Sequence, residues 1–306
     1  MKNIILFILA AFILLSCEEK KNHQETNTSQ KPRIAVVNYP LNYFTKRIAD
    51  NIVDIVYPVP GDIDPAYWEP KPQQVELYQN ADLIILNGAD YAKWIEKVSL
   101  PKTKIINSSL AMKDNYIKLQ EGITHSHGPK GKHEHDGFAF TTWLNFKYAI
   151  LQAEGVKDAL IKLLPDSKDN FEKNFSSLKD DLDKLDKRMT EISSNISEPI
   201  MASHPVYQYL AEGYNINIIS VHWEPTDIPN EIEWEKFDKM LKENPTNIMI
   251  WEDEPLPKVK PELLERGIQV VVFNTGANTP ADGDFLSIMN DNINSVGHYY
   301  SSELPK

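Results

Sequence analysis

The chain has 306 residues, 42% of them hydrophobic, with a formal net charge of −12 and one cysteine. That length supports two domains with cores of their own. The acidic balance argues against nucleic acid as a partner, and a lone cysteine excludes an internal disulfide.

Residues 1–16 read as a segment that is removed. Lys2 precedes an apolar run from Ile4 to Leu15, which is too short to cross a bilayer comfortably. Leu14-Leu15-Ser16-Cys17 then sets a small residue before the cysteine. On physical grounds this is a secretory signal peptide. The stretch also resembles the bacterial lipoprotein signal, and that resemblance implies acylation of Cys17, export, and anchoring to a lipid bilayer. Residues 17–31 follow as a polar, flexible tether.

From Pro32 onward strand-like and helix-like segments alternate. Arg33 to Asn38 is a buried-type strand, Leu41 to Asn51 a helix, Val53 to Val59 a strand, and Pro60 to Pro70 a stiff loop (PGDIDPAYWEP). Gln73 to Asn80 is a helix, Asp82 to Leu86 a strand, Tyr91 to Val98 a helix and Lys104 to Asn107 a strand. Such alternation predicts a mostly parallel sheet whose ligand-facing loops gather at the carboxyl ends of its strands. This N-terminal lobe, 32–140, includes a stretch from Leu110 to Phe138 that has no sustained periodicity, a length usually kept for function, with a histidine-rich loop over 122–138 inside it.

The helical connection, 141–196, begins with a helix capped by Thr141 or Thr142 and running to about Leu164. The stretch from Asp166 to Ile196 comes next. Phe171, Phe175, Leu178, Leu182, Leu185, Met189, Ile192 and Ile196 recur at steps of four and three, which keeps all of them on one side of a helix. It reads as a rigid strut between two α/β lobes, each with a roughly four-stranded, mostly parallel sheet flanked by helices.

The C-terminal lobe, 197–306, repeats the alternation. Its strands are Pro199 to Ala202, Asn217 to Val221, Asn247 to Trp251 and Gln269 to Phe273, and its helices are Pro205 to Glu212, Glu231 to Glu243, Lys260 to Arg266 and Phe285 to Ile293.

The candidate ligands are grouped. His125, His127, His133 and His135 form HSHGPKGKHEH, four histidines in eleven residues. Neutral imidazole is the commonest metal-binding side chain, and two H-x-H pairs across a glycine-containing turn can fold onto one ion such as zinc. A polar loop with non-specific metal uptake is the plainer reading of the same residues. In the second lobe, His204, then His222 and Glu224, then Glu252, and finally Asn274 each follow a strand end. Four parallel strands would deliver them to one sheet edge. His204 would supply an imidazole and Glu252 a carboxylate that offsets the ion's charge. His222 is a further metal candidate, and Glu224 and Asn274 stand as supporting or alternative ligands. Taken singly, each histidine can equally be a hydrogen-bonded loop residue. No nucleophile has a base beside it and no Gly-rich phosphate loop follows a strand, so no catalysis is expected.

The chain resembles the zinc/manganese class of solute-binding lipoproteins that serve ABC importers. GDIDPAYWEP at 61–70, the loop before TTWLN at 141–145, SHPVYQYLAEGY at 203–214 and VVVFN at 270–274 carry the resemblance. It implies two α/β lobes joined by one long helix, an ion held in the cleft by three histidines and one carboxylate, and delivery to a membrane permease. Residue by residue the match holds at His204 and departs at Ala66, Thr141 and Asn274, where the family has two histidines and an aspartate. One outcome is a rebuilt site using the loop histidines with Glu252 and His222. The other is a cleft-binding or adhesin-like surface lipoprotein with a different ligand. Imidazole-rich candidates favour zinc, with manganese or iron as alternatives, and a monomer is expected.

Overall fold

The computed structural model describes residues 31–119, 124–126, 132–134 and 137–302, with backbone only at 124–126 and 132–134. The signal, the tether as far as Gln30 with Cys17, and His127 and His135 lie outside the described residues.

Short apolar runs form the strands of the first sheet: β1 (Arg33–Val36), β2 (Asp54–Val56), β3 (Leu83–Leu86) and β4 (Ile105–Asn107). All pair in parallel in the order β2-β1-β3-β4. The second sheet is built likewise from β7 (Ile200–Ala202), β8 (Ile218–Ser220), β9 (Ile248–Trp251) and β10 (Gln269–Val272), in the order β10-β9-β7-β8. Parallel strands covered on both faces read as continuous apolar runs, and LIIL in β3 and IMIW in β9 do so. The strand period of two then sorts the side chains. Ile248 and Ile250 join the large core that also holds Ile34 and Ile84 of the first sheet, whereas Met249 and Trp251 pack with Trp223, Phe237 and Leu263 in a separate cluster. Within 122–138, β5 (Thr124–Ser126) and β6 (Lys132–Glu134) form an antiparallel ribbon that sets His125 opposite His133 in register.

The helices are α1 (Tyr39–Ala49), α2 (Pro72–Gln79), α3 (Phe146–Leu163), α4 (Lys168–Ser193), α5 (Gln208–Tyr214), α6 (Glu231–Glu243), α7 (Val259–Glu265) and α8 (Phe285–Ser302). The long strut is α4, whose 26 residues span about 39 Å. Phe171, Leu178, Leu182, Leu185 and Met189 are buried along it, and Phe175, Ile192 and Ile196 are half-buried. It packs against α1, α3 and α8, and it stops short of the expected Ile196. There the Ser194 and Asn195 side chains donate to the Glu191 carbonyl, a group that a further turn would have bonded.

Other boundaries also differ from expectation, and α8 runs on to Ser302 rather than ending at Ile293. Asn145, rather than Thr141 or Thr142, caps α3, accepting from the Lys147 N–H at 3.1 Å. The turn before it, Thr142–Leu144, is 3₁₀. Only Lys93–Lys97 of the expected helix after β3 is helical, again as 3₁₀. Gly88, Ala89, Asp90 and Ala92 there have positive φ, which an α-helix does not admit. Finally, α5 begins at Gln208 rather than Pro205, and before it the Val206 N–H bonds back to the His204 carbonyl at 3.0 Å in a tight turn.

Candidate metal centre

Strand order decides which side chains meet. The middle strand β7 has β9 on one side and β8 on the other, and backbone bonds continue the sheet past its named ends. Ser203 N–H donates to the Ile250 carbonyl at 2.9 Å and Trp223 N–H to the Ser203 carbonyl at 2.7 Å. His204 after β7, Glu252 after β9 and Glu224 after β8 therefore stand side by side, and one donor atom from each lies within 4.8 Å of the others. His204 Nδ1 is 3.0 Å from Glu252 Oε1, and Nε2 is 3.4 Å from Glu224 Oε1. His204 is only 5% exposed. Burial of an ionisable ring is tolerated where such partners are present.

The electrostatics follow from this packing. Burial acts to lower the His204 pKa, but the hydrogen bond to Glu252 and the charges of Glu252, Glu224 and Asp64 outweigh it and hold the imidazole above its ordinary value of 6.5. The Tyr67 phenol is pushed up by burial first and then by Asp64, Glu224 and Glu252. Tyr207, fully buried, is pushed up by burial and by the charge of Glu252. Asp64 and Tyr67 thus bring the first lobe's 60–70 loop to the same place. From the sequence Tyr67 is expected only as one of several rings, with Trp68, Trp143, Trp223 and Trp251, that flank the candidate ligands and either exclude water there or fill the interlobe core, and Asp64 is given no role. The signal was present in the short Asp64-x-x-Tyr67 spacing beside the departure at Ala66.

The remaining candidates are placed as follows. His222 is exposed and is not one of the three grouped residues, whereas Glu224, expected only in support, is. Asn274 follows β10, which lies beyond β9 and so two strands from β7. Its side-chain oxygen accepts from the Gly276 N–H at 2.7 Å, and its backbone pairs with the Asn292 side chain. The other two departures from the resembled pattern also hold structural positions. Ala66 is buried, with its N–H on Asp64 Oδ1 at 2.8 Å, and the buried Thr141 hydroxyl donates to the Val206 carbonyl, two residues past His204. At the carboxyl edge of the first sheet, Asn38, Asn87, Ser108 and Gln152 form a buried network in which Asn87 also donates to the Phe140 carbonyl. Its polar groups are engaged with one another, so this edge supplies anchoring rather than ligands.

The aromatics divide similarly. Trp68 packs edge-on to Trp94 in the first lobe, and Trp223 and Trp251 sit in the second-lobe cluster. Trp143 joins the two lobes, with Nε1 donating to the Thr275 carbonyl at 2.7 Å.

Two parallel-sheet lobes tied along a long helix, with a buried imidazole and two carboxylates at one sheet edge, define a two-lobed α/β protein with a candidate metal centre. The profile of the family described as "Zinc-uptake complex component A periplasmic" (ZnuA) matches residues 34–298, and the chain belongs to that family. Among relatives, the zinc-binding lipoprotein AdcA of Streptococcus pneumoniae R6 is 25% identical over 317 residues, covering 99% of this chain. This chain spans 62% of AdcA's own length. The manganese ABC transporter substrate-binding lipoprotein scaA of Streptococcus gordonii is 26% identical, covering 96% of each chain. Among solved structures, the metal-dependent lipoprotein YcdH of Bacillus subtilis superposes with a TM-score of 0.74 at 21% identity, covering 88% of this chain and 99% of that one, a likeness of fold.

Proposed function

We propose that this chain binds a divalent transition metal outside the cytoplasm and delivers it to the membrane permease of an ABC importer. The observation that carries the reading is the His204, Glu224 and Glu252 group, one buried imidazole with two carboxylates on adjacent strands. In this reading His204 and Glu224 ligate the ion. Glu252 either ligates with them or holds the ring through Nδ1, as carboxylates beside metal-binding histidines do. Loop histidines from the set His125, His127, His133 and His135 complete the shell, in place of those absent at positions 66 and 141. His222 is an accessory donor at the rim. Acylated Cys17 tethers the protein to the membrane, and it acts as a monomer without catalysis.

Zinc is the first choice of ion, supported by the family's description and by AdcA's zinc binding. Manganese is the second reading, favoured by a specific observation: two of the three grouped donors are carboxylates, and oxygen donors suit the harder ion. Competition against a chromophoric chelator tests both. Wild type holds zinc more tightly than manganese, and His204→Ala weakens zinc binding at least about tenfold. An unchanged affinity in H204A removes the proposed centre.

A further inference from the structure

The segment after β10 meets the helical connection at one point and the first lobe at two. Trp143 Nε1 donates to the Thr275 carbonyl at 2.7 Å, and Tyr39 N–H donates to the Ala277 carbonyl at 2.9 Å. Asn278 makes the densest contact. Its Nδ2 donates to the Pro60 and Ile63 carbonyls at 2.6 and 2.7 Å, and its Oδ1 accepts from the Tyr57 hydroxyl at 2.8 Å and the Thr279 N–H at 2.7 Å. An amide side chain offers two N–H donors and two lone pairs on its oxygen. Every one of these positions on Asn278 is used, and three of the four bonds reach the first lobe.

The residues it holds lead into the site. Tyr57, Pro60 and Ile63 precede Asp64, whose carboxylate lies close enough for its charge to act on His204 and Tyr67. Asp64 is fixed in turn to its own loop by the Ala66 N–H. Holding Pro60 and Ile63 therefore sets where Asp64 stands with respect to His204.

We propose that Asn278 is a positioning residue of the metal site: through Tyr57, Pro60 and Ile63 it fixes the Asp64-bearing wall of the first lobe against the second lobe and slows the ion's departure. The inference rests on the reading of the His204 group as the ion's site. Asn278 is not a ligand, since its bonding capacity is already taken. For the ion to leave, the two walls must separate, and its three cross-lobe bonds must break with them.

Release of zinc from the loaded full chain to excess chelator, followed by stopped flow, tests the proposal. Asn278→Ala should accelerate release about tenfold, the order expected for one or two net hydrogen bonds. Tyr57→Phe should accelerate it less, and the double variant should be no faster than N278A, because both substitutions remove one shared contact. Hydrogen exchange of the metal-free N278A chain should show lost protection confined to residues 57–64 and the segment after β10. A merely structural role would lower the melting temperature and leave release from folded protein unchanged, so a wild-type release rate in folded N278A overturns the proposal. Should N278A fail to fold, Y57F decides in the same way: faster release supports the latch and an unchanged rate overturns it. Zinc binding lost in H204A with release unaltered in N278A defeats this inference alone. Zinc binding retained in H204A defeats the site beneath it.

Discussion

His204 takes its chemistry from its neighbours. Its pKa is held above 6.5 by Glu252, Glu224 and Asp64 against the effect of burial. A raised folded-state pKa stabilises the metal-free protein fully below the unfolded value of about 6.5, and that contribution is lost as pH rises through the folded value. Denaturant unfolding of metal-free wild type should therefore lose stability relative to H204A as pH rises above about 6.5. Equal pH dependence in the two would show that the ring gains nothing from its carboxylates. Zinc binding runs the other way: the ion displaces the ring proton, so affinity should fall as the solution is acidified, with a midpoint above 6.5. Glu252→Gln keeps an oxygen opposite Nδ1 but removes the charge, and should weaken zinc binding about 10- to 100-fold in chelator competition. His204 and Glu252 were legible in the sequence because each follows an apolar run that reads as a buried strand. The order of strands was not, since it depends on pairings between residues tens of positions apart. That order brings Glu224 into the group and leaves Asn274 two strands away.

Among the elements, α4 was the most legible, because steps of four and three over many residues have no other regular reading. Leu182 sits at its buried midpoint. Leu182→Ala should cost about 2–5 kcal/mol in denaturant unfolding while leaving zinc stoichiometry unchanged. A loss of zinc binding in folded L182A would mean that the helix does more than support the two sheets. Helix starts were less legible. Thr141, Thr142 and Asn145 are all acceptable caps by composition, and packing chose Asn145. Thr141 is occupied instead by its bond to the Val206 carbonyl, a tie between the connection and the second lobe that nothing local in the sequence announces. Deleting 125–135 as a block asks what the histidine-rich segment contributes. On the proposed reading the tight zinc equivalent is lost, whereas its retention with fewer weak equivalents would mark the segment as an accessory trap.

For the whole molecule, the two sheets share one core, and α8 returns Phe285 against Tyr43 and Phe44 of α1. Bonds at Asn278, Ala277 and Tyr209 cross between the lobes, and one at Thr275 ties the second lobe to the helical connection. Such ties predict a small change on loading, with the radius of gyration from solution scattering shifting by less than about 1 Å on zinc addition. These ties join residues up to about 220 positions apart, which is why local sequence pattern is silent on them. The ion's position itself is the most direct test of the account. Anomalous scattering from crystals of the zinc-loaded, tag-free protein should give one strong peak at about 2.0–2.2 Å from a ring nitrogen of His204 and an oxygen of Glu224. A peak away from His204, or no peak in a sample soaked to saturation, would contradict it.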